Sequence, residues 1–282
     1  MIAHAKPIRR KNVLPGLSLS LGTTLLYVAL IVMLPVVALV LKGASIGPDR
    51  FWTIMTSPRT LAAFKITLIA ASVATVINAL YGLLMAWVLV RYEFPGKRIL
   101  DALMDVPFAL PTAVAGLSLT ALFSANGWFG GLLDAMGIQV VYTLWGIIIA
   151  MTFTSIPFVV RTVQPVLEDL DPGLEQAAVT LGASPFTVFR RIILPAILPA
   201  WLAGATVSFA RSLGEFGAVV FIAGNIPMKT EIASLLAFIR LAEYDYNGAA
   251  VIALALLVIA LVLLVVSNLL QAWASRYREA TR

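Results

Sequence analysis

The sequence predicts an all-α integral membrane fold: six transmembrane helices and one helical elbow on the cytoplasmic side. Three observations predict it. Of the 282 residues, 61% are hydrophobic and the mean hydropathy is +0.97, more apolar surface than a water-facing domain can bury. Six stretches are each long enough to cross a hydrocarbon layer, which takes about 20 apolar residues. Between two of these stretches lies a polar interruption, "EQAAVTLGASPFTVFRRIILPAILP" from Glu175 to Pro199, with the periodicity of short amphipathic helices.

Composition also excludes several functions. Only 12% of residues are charged, so the pI of 9.8 reflects a modest excess of Lys and Arg. These flank the apolar runs and do not gather into one patch, which fits anchoring to a lipid bilayer and not nucleic-acid binding. The absence of cysteine excludes disulfides and thiolate metal sites. His4 has no second ligand near it in sequence and reads as a solvated tail residue. No G-x-x-x-x-G-K-[ST] phosphate cradle is present, nor a Ser–His–Asp set or an HExxH helix. The chain is therefore expected to be non-catalytic and to bind no cofactor.

In chain order, residues 1–16 form a polar leader with Lys6, Arg9, Arg10 and Lys11. The first span, 17–41, is too long for a signal-peptide h-region and lacks a small-residue cleavage site, so it is retained. The stretch "GPDRFWTIMTSPRTLAAF" completes the segment 17–63. Phe51 and Trp52 beside charges predict an interfacial helix at headgroup level. A transmembrane domain, 64–271, follows, with spans at 64–90, 101–124, 142–163, 197–222 and 249–271, and a tail at 272–282. The third span holds Pro107, Pro111 and Gly116. Proline removes a backbone donor, so this span is either a kinked packing helix or a helix broken where it lines a path. Asp101 and Asp105 stand at its start, where a helix N-terminus favours carboxylates. Between the fifth and sixth spans, Ile232, Leu235, Leu236 and Ile239 recur at helical spacing. That loop is read as a cap on the outer mouth or as a docking surface.

The basic residues give the orientation. With both termini inside, thirteen Lys and Arg face the cytoplasm, six face outward, and Arg211 lies within a span. The interruption is then cytoplasmic. Asp171 can cap a helix that Pro172 begins, and Glu175 suits its first turns. Leu174, Ala177, Ala178 and Leu181 form its apolar, small face. Gly182 ends it in the manner of a left-handed C-cap. Ser184–Pro185 starts a second helix, through Phe186, Phe189, Arg190 and Arg191 to Leu194–Pro195. The elbow, about 171–195, presents alanine at its tight contact and phenylalanine at its tip. It either packs on its own membrane domain or plugs a groove in a second, soluble protein.

Gln176-Ala177-Ala178, three residues, Gly182, nine residues, then Ile192-x-Leu194-Pro195 resembles the EAA loop of type I ABC importer permeases. The family glutamate position is Gln176 here, with Glu175 just before it. The resemblance implies that the loop, with Glu175, Gln176, Ala177, Ala178, Gly182, Ala183, Ser184, Phe186, Phe189 and Arg190 as its coupling residues, seats in a cleft of an ATPase subunit. "RSLGEFGAVVFIAGN", "DVPFALPTAVAGL" and "FTSIPFVVRTVQPVLE" are similar to the sulfate and molybdate branch of that family. The leading "LPGLSLSLGTTLLYV" and the outer "GNIPMKTEIASLLAFIRLAEYDY" are most similar to its sulfate/thiosulfate permease subunits of the CysT type. The partners so implied are two ATP-binding cassette subunits carrying ATP and Mg, a second related permease subunit, and a periplasmic or extracellular sulfate-binding protein. The location implied is a bacterial inner membrane. A molybdate or tungstate permease is the alternative within the class, and a stand-alone secondary anion transporter is the alternative outside it.

Arg211 and Glu215 are four apart in the fifth span and are read as sharing a helical face. A charge at the bilayer centre costs about 2.5–3.5 kcal/mol on insertion scales, so both should face protein or water. Either the two neutralise each other and hold the helix in register, or Arg211 makes the path attractive to a divalent oxyanion through its planar fork of donors. Ser212, Pro111 and Thr112 complete the pathway candidates. Gly214 and Gly217 are read as permitting close helix contact.

Overall fold

The computed structural model describes residues 16–279; the basic leader, with His4, and Arg282 lie outside them. Among the described residues every regular element is a helix. The first span is a long rod: α1 (Leu17–Tyr27) passes through π-helical turns at Val28–Met33 into α2 (Leu34–Ala44). The Pro35 ring has no N–H to give, and the Leu34 amide bonds five residues back, to Ala29. Short α3 (Pro48–Met55) follows, the helix expected at the interface.

Helix α4 (Pro58–Arg91) is longer at both ends than the expected span and begins on a Ser57 cap. The expected third span is two helices, α5 (Lys97–Ala109) and α6 (Thr112–Phe123), bent by 115°. The break falls at Leu110–Pro111: Pro111 has no amide to continue the ladder and it disfavours a helical residue before it. Pro107 stays inside α5. Helix α7 (Gly130–Ala135) leads to α8 (Leu144–Glu168), which outruns its expected end at 163.

Two further expectations are corrected. The second arm of the elbow is not a separate helix. After α9 (Pro172–Thr180), α10 (Pro185–Val188) runs through π-helical turns at Phe189–Ile193 into α11 (Leu194–Leu213). The elbow is thus the start of the fifth span, and any push on it acts on that helix directly. The fifth span also does not continue to 222. It stops at Leu213 and resumes as α12 (Gly217–Ile222). Then come α13 (Ala233–Ala242) and α14 (Tyr246–Glu279), the sixth span.

Small residues let α4, α8 and α11 meet closely, the way helices associate where lipid removes the hydrophobic drive. Ala70, Ala71, Ala74 and Ala86 of α4 are fully buried. A Cβ on Gly82 would come within 2.7 Å of Val159 Cβ, and one on Gly204 within 3.0 Å of Val159 Cα. The core lies along this bundle in three pieces: around Met151 and Ile222, around Val160 and Ile193 near the elbow, and around Phe64 and Leu236 at the opposite end of α4. The apolar side of α13 is buried: Leu236 lies in this last region, and Leu235, with Ile232 before the helix, lies in the first. Those residues therefore pack on the chain itself and are not a docking surface.

Candidate functional site

The elbow is built from local rules. Asp171 Oδ1 accepts from Gly173 N at 2.8 Å and Ser184 Oγ from Thr187 N at 3.3 Å, so each arm starts on a side-chain cap. Gly182 has φ +82°. Its amide donates to Val179 O at 2.9 Å and that of Ala183 to Ala178 O at 3.0 Å, the two bonds of a Schellman ending that needs the left-handed conformation.

One side of the elbow rests on the bundle and the other is open. Val188 is buried, Ala178 and Ala183 are half-buried, and Glu175 pairs with Arg91 at the end of α4. Phe189 turns inward, its ring meeting Trp87 edge-on at 5.5 Å, so the phenylalanine at the tip is Phe186. The open side carries Leu181 and Phe186, 88% and 70% exposed, together with Leu174 and Val179. Gln176, Ala177 and Arg190 also face outward. Four exposed apolar side chains on a rigid bend make a surface suited to a complementary pocket.

The pathway candidates gather where the two broken spans meet. Helix α6 begins at Thr112, directly after Pro111, and α12 begins at Gly217. A Cβ on Gly217 would strike Thr112 Oγ1, and one on Gly116 would strike the Ala218 backbone, so α6 and α12 pack backbone against backbone. Arg211 sits in the last turn of α11 and Glu215 in the break itself. They do not share a continuous helix, but they still meet: Arg211 Nη1 lies 2.7 Å from Glu215 Oε2. The alignment is too poor for a hydrogen bond, leaving Oε2 without a donor. Glu215 Oε1 accepts from Ala218 N at 2.9 Å and caps α12. Glu215 is buried and the Arg211 side chain is 33% exposed, so the arginine is the more exposed member of the pair.

Other candidates are placed differently. Ser212 is fully buried, 3.0 Å from Ser155 Oγ, and belongs to helix packing and not to an accessible wall. Gly214 is exposed, and a Cβ there would meet only the Ala210 and Arg211 carbonyls of its own helix at 3.9 Å, so only Gly217 serves close contact between helices. Asp101 and Asp105 lie beyond the first turn of α5 and instead clamp Arg161 of α8, at 2.6 and 2.7 Å. Sequence reasoning missed this clamp, the Arg91–Glu175 pair, and a buried cluster in which Asn78 Nδ2 donates to Ser155 Oγ at 2.8 Å and Ser208 Oγ at 3.1 Å. Polar residues facing inward at helical spacing were the available signal; their partners are more than 50 residues away.

Comparison with known proteins agrees with this architecture. The chain is 56% identical over 264 residues, 94% of its length and 95% of theirs, to proteins of Salmonella typhimurium and Escherichia coli each named sulfate transport system permease protein CysT. It is 46% identical over 273 residues to the Synechocystis protein of that name. The fold is similar to that of a bacterial alginate ABC transporter crystallised with its pentasaccharide-bound periplasmic protein: TM-score 0.75 at 18% identity, covering 89% of this chain and 92% of the other. The MetNI methionine ABC transporter in an inward-facing conformation gives 0.60 at 16% identity, over 77% and 96% of the two chains. The broken spans, the bend resting on the bundle and a family-model match over residues 78–278 point the same way: this chain belongs to the binding-protein-dependent transport system inner membrane components, the permeases of ABC importers.

Proposed function

We propose that this chain is a permease subunit of an ATP-driven importer that carries sulfate into the cytoplasm. The 56% identity to sulfate permeases across 94% of the chain is the observation that carries the substrate. In this reading the elbow faces the cytoplasm and its exposed face, with Leu181 and Phe186, enters the cleft of an ATPase subunit, where ATP and Mg are held. A second permease subunit completes the pathway, and a periplasmic sulfate-binding protein delivers the anion. Because the elbow runs into α11 without a break, closing of the ATPase pair pulls on the helix that ends at Arg211, and the path alternates between its two faces. Arg211 offers a partly accessible guanidinium beside the break in the fifth span. Glu215 keeps that charge from being isolated in the membrane.

The test is uptake of labelled sulfate into proteoliposomes holding the full complex, with ATP inside and binding protein outside. Uptake should require both, and unlabelled sulfate should compete more strongly than molybdate. Stronger competition by molybdate would reassign the substrate, with thiosulfate a third competitor. Uptake without ATP would make the chain a secondary transporter. Arg211→Ala should lower sulfate uptake at least tenfold with the complex still assembled, and normal uptake by that variant would remove Arg211 from the path.

A further inference from the structure

Helix α4 runs unbroken for 34 residues, about 50 Å at 1.5 Å per residue. Each of its ends carries an arginine fixed to a glutamate of another segment. At the elbow end Arg91 holds Glu175 of α9, with its guanidinium 5.3 Å from the centre of the Trp87 ring. At the far end Arg59 grips Glu231 with two prongs, Nε to Oε2 at 2.9 Å and Nη2 to Oε1 at 2.7 Å. The Glu231 side chain has no exposed surface, so the pair is one of the few places where a charge is sealed in the protein.

The same face of α4 makes a second attachment. Thr67, eight positions beyond Arg59, accepts the Ala233 amide on Oγ1 at 2.8 Å. The start of α13 is therefore pinned twice to α4. The next residue, Ser234, reaches the other way: its Oγ donates to the backbone carbonyl of Glu215 at 2.7 Å. That carbonyl lies in the break of the fifth span. The Glu215 amide bonds back to Ser212 O of α11 at 3.1 Å and its side chain caps α12, so Ser234 is the hold that reaches the Glu215 carbonyl from α13 and, through it, from α4.

We propose that Arg59 and Glu231 are positioning residues for anion translocation: through Ser234 they set the place of Glu215, and so decide whether the Arg211 guanidinium is turned toward its own carboxylate or toward the path. This inference rests on the reading of Arg211 as facing the transported anion. The chemistry follows from the geometry at the break. Glu215 uses one oxygen to cap α12 and holds the other 2.7 Å from Arg211 without a well-aligned bond. A small displacement of the Glu215 backbone then either tightens that contact and neutralises the arginine, or loosens it and frees donors for an oxyanion. Charge alone at position 59 is not enough, because a lysine ammonium lacks the fork that holds both carboxylate oxygens.

The experiment uses the complete complex in proteoliposomes, measuring labelled sulfate uptake and ATP hydrolysis together. Arg59→Lys and Ser234→Ala are each expected to lower uptake at least fivefold while hydrolysis stimulated by loaded binding protein stays within about twofold, so that sulfate moved per ATP falls. Ser234→Ala removes one hydroxyl and keeps the test open should the lysine variant fail to assemble. Each is then combined with Arg211→Lys, a variant chosen to retain measurable uptake. The combined loss should be no greater than the larger single loss, since all three act at one point. Normal sulfate per ATP in both single variants overturns the proposal, as do losses that multiply with Arg211→Lys, or uptake and hydrolysis falling in parallel. Normal uptake by Arg211→Lys and Arg211→Ala together would instead defeat the pathway role on which the proposal rests.

Discussion

At the scale of single residues, the elbow depends on Gly182. Its φ of +82° lies where a side chain is strained, yet a Cβ there would meet nothing within 4 Å. The penalty for substitution is conformational and not steric, about 1–2 kcal/mol for an ordinary L-residue. Gly182→Val should therefore weaken retention of the ATPase subunit on pull-down about 5- to 30-fold, and Gly182→Asn distinctly less, because asparagine tolerates the left-handed region. Gly182 was legible in the sequence because its role is local: a helix ending leaves a mark within a few residues. Arg91 and Glu175 were not legible as partners. Each was visible as a charge near a helix end, but their pairing is made by the fold, across more than 80 residues.

At the scale of elements, hydropathy located five helices long and apolar enough to cross and the bent pair α5–α6 that makes a sixth, but it did not show the breaks in the third and fifth. A span broken at Pro111 or at Gly214–Phe216 has the same apolar composition as a straight one. What separates the two cases is whether neighbours accept the freed backbone groups, and that information lies in other helices. Local hints existed for both: Pro111 in the third span, and in the fifth Glu215, between Gly214 and Gly217, which accepts the amide three residues on, as a helix cap does. The packing of α6 on α12 gives a sharp expectation. Gly116→Val drives a side chain into the Ala218 backbone, which cannot step aside as a flexible side chain would. Asn78→Leu deletes two hydrogen bonds, and such bonds within membranes average about 0.6 kcal/mol each. In detergent, thermal unfolding should show Gly116→Val as much the more damaging lesion and Asn78→Leu as a loss of about 1 kcal/mol. The reverse order would mean that the α6–α12 contact is slack.

At the scale of the whole molecule, the exposed apolar face of the elbow stands beyond the membrane-spanning bundle. Lipid satisfies the outward Leu and Val of the spans, but it cannot cover Leu181 and Phe186 if the elbow projects into water. Phe186→Ser should leave the permease's own thermal stability within about 0.5 kcal/mol, as surface changes do. ATPase co-purification should fall severalfold. A large loss of intrinsic stability would show instead that Phe186 packs on its own chain. The first rod, α1 to α2, follows a different rule. Apart from Gly43, which abuts Leu254 of α14, its described side chains are exposed or only partly covered. Its backbone bonds are internal to the rod and its apolar side chains suit acyl chains. During synthesis this segment can therefore partition into the bilayer as soon as the ribosome releases it, and serve as a mooring while the later helices are still being made.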